Sequence, residues 1–142
     1  MSVRGRLWQL PLRLPTGAYM LDAGVSKWDA DEATAKYLHD FTAGTYPVVK
    51  SIEPAQFVKA VSAGEIALGT ILLAPFVPGR LAGAGLTAYA AALLGLYVKT
   101  PGMRRPSTPF PSKDGIALAK DSWLLGIGLA LLFGRASDGG SL

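Results

Sequence analysis

The stretch Leu81 to Val98, LAGAGLTAYAAALLGLYV, carries no charge and lies between Arg80 and Lys99. A run of this length and apolarity is what a helix needs to cross the hydrocarbon of a bilayer, with basic side chains reaching the headgroups at either end. Ahead of it, Gln56 to Val77 forms a second apolar run, opened by Pro54 near a helix start and closed by Pro75, Pro78 and Gly79. The VPGR connection between the two is too short for anything but an antiparallel helical hairpin.

The rest of the chain repeats the pattern less cleanly. A third apolar segment runs from about Asp114 to Gly134, with Ser112 or Asp114 as its N-cap, and carries Lys120 and Asp121 side by side. A fourth, Leu7 to Trp28, is interrupted by Pro11, Arg13, Pro15 and Asp22. Arg4 and Arg6 give it the outline of a signal peptide, but a signal core would not hold Arg13, and no small-x-small cleavage site follows. The expected spans are therefore about 7–28, 56–77, 81–98 and 114–134, in one domain covering residues 1–142 with a disordered tail at 135–142. The fold class is all-α, an up-and-down membrane bundle of four transmembrane helices.

Composition agrees. Half of the 142 residues are hydrophobic and 17% are charged, and the mean hydropathy is +0.31, too apolar for an ordinary soluble surface of this size. With no cysteine and one histidine, disulfides, iron–sulfur clusters, zinc–thiolate sites and a bis-histidine haem are excluded. No phosphate-binding glycine motif is present. The net charge of +4 is explained by basic residues gathering in membrane-protein loops, so nucleic acid is not an expected partner and no metal site is expected.

Between the first two spans lies DADEATAKYLHDFTAGTYPVVKSIEP, in which Asp29 and Glu32 resemble a capping box opening a short amphipathic helix that Gly44 closes. Ala30, Ala33, Tyr37, Leu38 and Phe41 share one face at helical spacing, so this helix is expected on the membrane surface or over the end of the bundle. His39 is expected to be a solvated histidine. The other long connection, KTPGMRRPSTPFPSKD, has four prolines and should be extended, with Arg104 and Arg105 solvated.

Up-and-down topology puts both long loops on one side, and from it the depth of each charge follows. At 1.5 Å per residue, Asp22, Glu65, Lys120 and Asp121 lie about 9–14 Å below that surface, with Lys27 and Lys59 shallower and Arg13 and Arg80 near the opposite one. Asp22, Lys27, Glu65, Lys120 and Asp121 are the candidate intramembrane cluster, in which crowded carboxylates would share a proton and could hold a quinone or lipid headgroup or relay protons. Arg13, Arg80, Trp123 and Tyr89 are secondary candidates. The competing role is purely structural, Lys120 pairing with Glu65 or Asp22 to hold helices in register. Replacing Lys120 by Met is then expected to destabilise the fold. On an ideal helix Asp22 falls opposite Arg13, so the two cannot face one neighbour unless Pro15 bends the segment.

Several of these stretches resemble DoxX-like proteins, a family of small four-helix membrane proteins. RLPTG with Arg13, followed by AGVSKW ending in Lys27 and Trp28, is similar to the family's first-helix pattern. GEIALGTILLAPFVPGRLAG, with Glu65 and Gly69, looks like its second helix and hairpin, and AKDSWLLG, with Lys120, Asp121 and Gly126, resembles its last-helix signature. Asp22 departs from the small or apolar residue expected there, and the long insertion after Trp28 looks more like the DoxD-type branch associated with thiosulfate:quinone oxidoreductase. The resemblance implies a multi-pass protein of a prokaryotic inner (plasma) membrane. It also implies an accessory subunit of a quinone-linked redox or respiratory complex, more in keeping with a non-catalytic subunit than an oxidoreductase component, with other membrane subunits as partners, no covalently bound cofactor and quinone as the candidate ligand; it implies no known catalytic mechanism. A small proton-coupled carrier acting as a homo-oligomer is the alternative. Arg4, Arg6, Arg80 and Arg135 favour cytoplasmic termini, whereas the lysines and arginines of the two long loops favour the reverse.

Overall fold

The computed structural model describes residues 7–134; the tail at 135–142 and the basic residues Arg4, Arg6 and Arg135 lie outside the described residues. After a 3₁₀ turn at Leu7–Gln9, the helices are α1 (Leu10–Trp28), α2 (Glu32–Ala43), α3 (Pro54–Leu73), α4 (Gly79–Lys99), α5 (Ile116–Ala119) and α6 (Asp121–Phe133). Further 3₁₀ turns lie at Pro47–Ser51 and Lys113–Gly115. Among the described residues there is no strand, only an isolated antiparallel bridge between Arg104 and Pro111 in the proline-rich loop.

Three helical stretches, Pro54–Leu73, Gly79–Lys99 and Lys113–Phe133, are long and apolar enough to cross a membrane. The first apolar segment does not join them, because Arg13, Asp22 and Lys27 fall within the 19 residues of α1. Its helix nonetheless continues through Pro15 and starts with Pro11 in the first turn, where the missing N–H is harmless. Against expectation, the last span is not one uniform helix. Around Lys120 the bonding tightens: its N–H reaches Ile116 O at 3.0 Å, while Trp123 N–H reaches back only three residues to Lys120 O at 2.9 Å.

Two tightly packed antiparallel pairs make the bundle. In α1/α3, a Cβ on Gly17 would lie 3.0 Å from Leu72 Cβ, one on Gly24 2.8 Å from Ser62 O, and one on Gly69 2.6 Å from Leu21 N. In α4/α6, a Cβ on Gly83 would lie 2.7 Å from Gly128 O, and one on Gly128 2.8 Å from Thr87 N. These approaches bring backbone against backbone, which only glycine permits, and they set how each helix is rotated about its axis. The turn after α3 makes α3 and α4 antiparallel as well. Both long connections therefore sit at one end of the bundle, with the 74–78 turn at the other.

The two ends are filled differently. Met20, Leu68, Leu72, Ala82, Leu86 and Leu131 form a buried core with Trp8, Leu12, Ile71 and Ile127 packed against it, which closes the half nearer the turn. At its outer edge the buried Arg13 donates to Leu72 O (2.8 Å), Ile71 O (2.9 Å), Ala74 O (2.8 Å), Val77 O (2.9 Å) and Gln9 Oε1 (3.1 Å). One guanidinium thus serves the carbonyls that α3 leaves unpaired at its C-terminus and ties the turn to α1.

Over the opposite end lies α2. Its N-cap is Asp31, not Asp29: the Asp31 carboxylate accepts from Thr34 N–H at 2.7 Å, a bond that also holds its pKa below the usual 3.8. The inward face is rotated from the expected one, so that Ala35, His39 and Ala43 are buried and Ala33 and Tyr37 are exposed. His39 is accordingly not solvated. Its ring stands between Asp40 Oδ1 (3.1 Å from Nδ1) and Val49 O (2.9 Å from Nε2), with Phe57 edge-on at 5.8 Å. Phe57 carries this contact from α2 to α3, so the histidine fastens the surface helix to the bundle.

Candidate functional site

Between the core and α2 the bundle holds a cavity of about 750 Å³. It exists because the two glycine-packed pairs touch each other closely only at the core end. From α1 come Thr16, Tyr19, Ala23 and Lys27, and from α3 come Val58, Val61 and Glu65. Tyr89, Ala92, Leu93 and Leu96 form the α4 wall, and Leu118, Asp121 and Leu124 face them from α5 and α6. Leu38, Phe41 and Thr42 of α2 close the top. Tyr46, also on the wall, anchors the α2 connection by donating to Ala92 O at 2.6 Å.

The lining is apolar except at one place. Glu65 is 1% exposed, and burying a carboxylate that deeply is tolerable only if it is paired and hydrogen-bonded. Both conditions hold. Lys27 Nζ lies 3.0 Å from Oε1 and 3.2 Å from Oε2, and the Tyr89 hydroxyl donates to Oε2 at 2.9 Å. Three helices meet in this triad: α1 gives the lysine, α3 the carboxylate and α4 the phenol. About one turn earlier on α3, Ser62 is fully buried and donates to Gly24 O at 2.5 Å, fixing the α1/α3 register that brings Lys27 to Glu65.

Asp121 faces the same cavity from the first turn of α6, just past the tightened turn at Lys120. Among the described residues it has no hydrogen-bond or ion-pair partner. Lys120 is exposed, outside the cavity lining, and likewise has no ion pair among the described residues. Asp22 is exposed on the outer face of α1. The candidate cluster therefore divides: Lys27, Glu65 and Asp121 meet at the cavity, whereas Asp22 and Lys120 point away from it. The lysine that answers Glu65 is Lys27, which reaches down from α1, and not Lys120. Lys59, also expected near the carboxylates, instead lies over the Trp28 ring at 4.0 Å and 3.9 Å from Asp29.

Of the secondary candidates, Tyr89 belongs to the triad, Arg13 clasps the far end, and Arg80 and Trp123 are exposed. Tyr46 and Phe57, which wall and roof the cavity, were not among the sequence candidates, since an aromatic in a loop or first helical turn carries no periodic signal. No group of three or more histidine, cysteine, aspartate or glutamate side chains that could hold a metal occurs among the described residues.

The fold and site define an all-helical protein with three helices long and apolar enough to cross a membrane and a largely apolar cavity holding a few polar groups. Comparison with family models, curated proteins and solved structures gives no match.

Proposed function

We propose that this protein binds a membrane-dissolved amphipathic molecule in the cavity, with the polar head at Glu65, Tyr89 and Asp121 and the apolar body along the apolar lining of α1, α3 and α4. A four-span arrangement places α1 in the membrane beside α3, its Lys27 neutralised by Glu65 and its Arg13 spent on carbonyls of the turn. The observation that carries the proposal is the cavity itself: about 750 Å³, lined almost wholly by apolar and aromatic side chains with a few convergent polar groups, the usual make-up of a small-molecule site. A quinone or lipid headgroup fits that description. The resemblance of the first, second and last helices to DoxX-like proteins supports placing the protein as a non-catalytic accessory subunit of a quinone-linked membrane redox complex. Lys27, Glu65, Tyr89 and Asp121 would then serve binding and not turnover. The second reading, a proton-coupled carrier, is favoured by one specific feature, the carboxylate of Asp121 facing the cavity without a partner.

The experiment is to solubilise tagged protein gently from its native membrane and identify every copurifying protein and small molecule by mass spectrometry, alongside Leu93→Trp, which fills the cavity. Near-stoichiometric quinone or lipid that is lost in the variant, together with a redox partner, is the expected result. A small-molecule profile identical in the two proteins would refute the cavity as a binding site.

A further inference from the structure

The cavity contains two carboxylates and one ammonium. Lys27 is fully engaged by Glu65, at 3.0 and 3.2 Å to its two oxygens, and Tyr89 spends its hydroxyl proton on the same group at 2.9 Å. Of the charged groups that line the space, Lys27 from α1 and Glu65 from α3 are thus paired with each other, and Asp121 from α6 is the one without an ion-pair partner among the described residues; of the tyrosines, Tyr89 donates to Glu65, Tyr46 donates to Ala92 O and Tyr19 is exposed. Lys120, its neighbour in sequence, is exposed and cannot turn inward without unwinding the tight turn that its own N–H and C=O complete. An ionised carboxylate facing apolar surroundings is costly until a positive group joins it.

The rest of the lining suits such a group. Phe41, Phe57, Tyr46 and Tyr89 surround the space, and aromatic faces attract cations, most strongly where water is excluded. An anionic head would meet Glu65 and Asp121 with no free cation to receive it. A neutral head would leave Asp121 unpaired.

We propose that the cavity is selective for lipophilic cations: the ligand's positive head pairs with Asp121 while its apolar body fills the space between α1, α3 and α4. This names the ligand class of the cavity and rests on the cavity being a binding site. Lys27–Glu65–Tyr89 is then the fixed wall that keeps the third helix in register, and Asp121 is the residue that recognises charge. Tyr19 is 80% exposed yet lines the cavity from α1, so the cavity opens to the outside there.

The test uses the full chain in lipid nanodiscs and two probes of matched shape, tetraphenylphosphonium and neutral tetraphenylsilane, with equilibrium binding read by scintillation proximity. Tetraphenylphosphonium is expected to bind the wild type about tenfold or more tighter than the neutral probe. Asp121→Asn should remove that preference, and Asp121→Glu should keep it within about threefold. Equal binding of the two probes to the wild type, or an undiminished preference in Asp121→Asn, overturns the inference. Should Asp121→Asn not fold, the wild-type comparison alone decides. If the cation fails to bind while a neutral quinone or lipid copurifies and is lost in Leu93→Trp, the cation selectivity falls and the cavity stands; if Leu93→Trp changes neither, both fall.

Discussion

Replacing Arg13 by Met should cost this protein more than most single substitutions, and the structure gives the size of the effect. The guanidinium donates to Gln9 Oε1 and to four carbonyls of α3 and its turn, those of Ile71, Leu72, Ala74 and Val77. Ala74 O also receives Val77 N–H at 3.2 Å and keeps a partner, and Gln9 can rotate. That leaves the carbonyls of Ile71, Leu72 and Val77 without Arg13. Each buried acceptor left unsatisfied costs about 1–3 kcal/mol. Water reaches the bundle end and recovers part of this, so a loss of about 3–5 kcal/mol is expected, as for breaking a buried charged network. Arg13→Lys keeps the charge but replaces a five-donor planar fork by a point donor, and should cost about half as much. Equilibrium unfolding in mixed micelles with increasing dodecyl sulfate, followed by circular dichroism, measures the difference. Arg13→Met within about 1 kcal/mol of wild type would show that the clasp is ornamental and refute the reasoning.

Three further outcomes follow from the same geometry. Lys27→Met strands the buried carboxylate of Glu65 and should destabilise by about 3–5 kcal/mol, whereas Lys120→Met, at an exposed site, should stay within about 0.5 kcal/mol in the same unfolding assay; the reverse order would reinstate Lys120 as the partner of Glu65. Gly69→Ala puts a methyl 2.6 Å from Leu21 N and should cost about 1–3 kcal/mol by forcing α1 and α3 apart, while Gly64→Ala, with nothing within 4 Å, should be neutral or slightly stabilising. His39 is held above its usual 6.5, chiefly by the hydrogen bond to Asp40 and also by the Val49 and Ile52 carbonyls, with burial opposing them. A raised folded-state pKa stabilises fully below the unfolded value and fades as pH climbs through the folded one, so the advantage of wild type over His39→Gln should shrink as pH rises above about 6.5. An advantage independent of pH would mean that the ring acts by packing alone.

Much of the architecture is visible in the sequence because the signals are local. Apolar runs between proline and glycine breaks mark α3, α4 and the α6 stretch, and the VPGR connection makes the hairpin unavoidable. The first apolar segment was harder: Arg13, Asp22 and Lys27 remove it from the set of clean spans, yet it forms a helix because α3 supplies carbonyls for the arginine and a carboxylate for the lysine. The helix over residues 32–43 was also foreseeable, but not which of its faces turns inward, since Ala33 with Tyr37 and Ala35 with Ala43 describe two different stripes. His39 looked solvated because a lone polar residue in a connecting segment usually is; its acceptors, Asp40 and Val49, lie partly on the next turn of chain, beyond what spacing on one helix can reveal.

By itself, then, the amino-acid order determined a helical, membrane-suited chain, a tight hairpin in its middle, and a set of charges too deep to be ignored. Tertiary structure decided which of those charges meet. Successive residues on a helix point about 100° apart, so a rotation of one position exchanges Asp22 for Ala23 and Lys120 for Asp121 at the cavity wall. Those rotations are fixed by contacts between distant parts of the chain, Gly17, Gly24 and Gly69 in one pair and Gly83 and Gly128 in the other. Depth along the membrane normal can be counted from a helix end, but azimuth depends on what the neighbouring helix presents, and that information is not stored in any one segment.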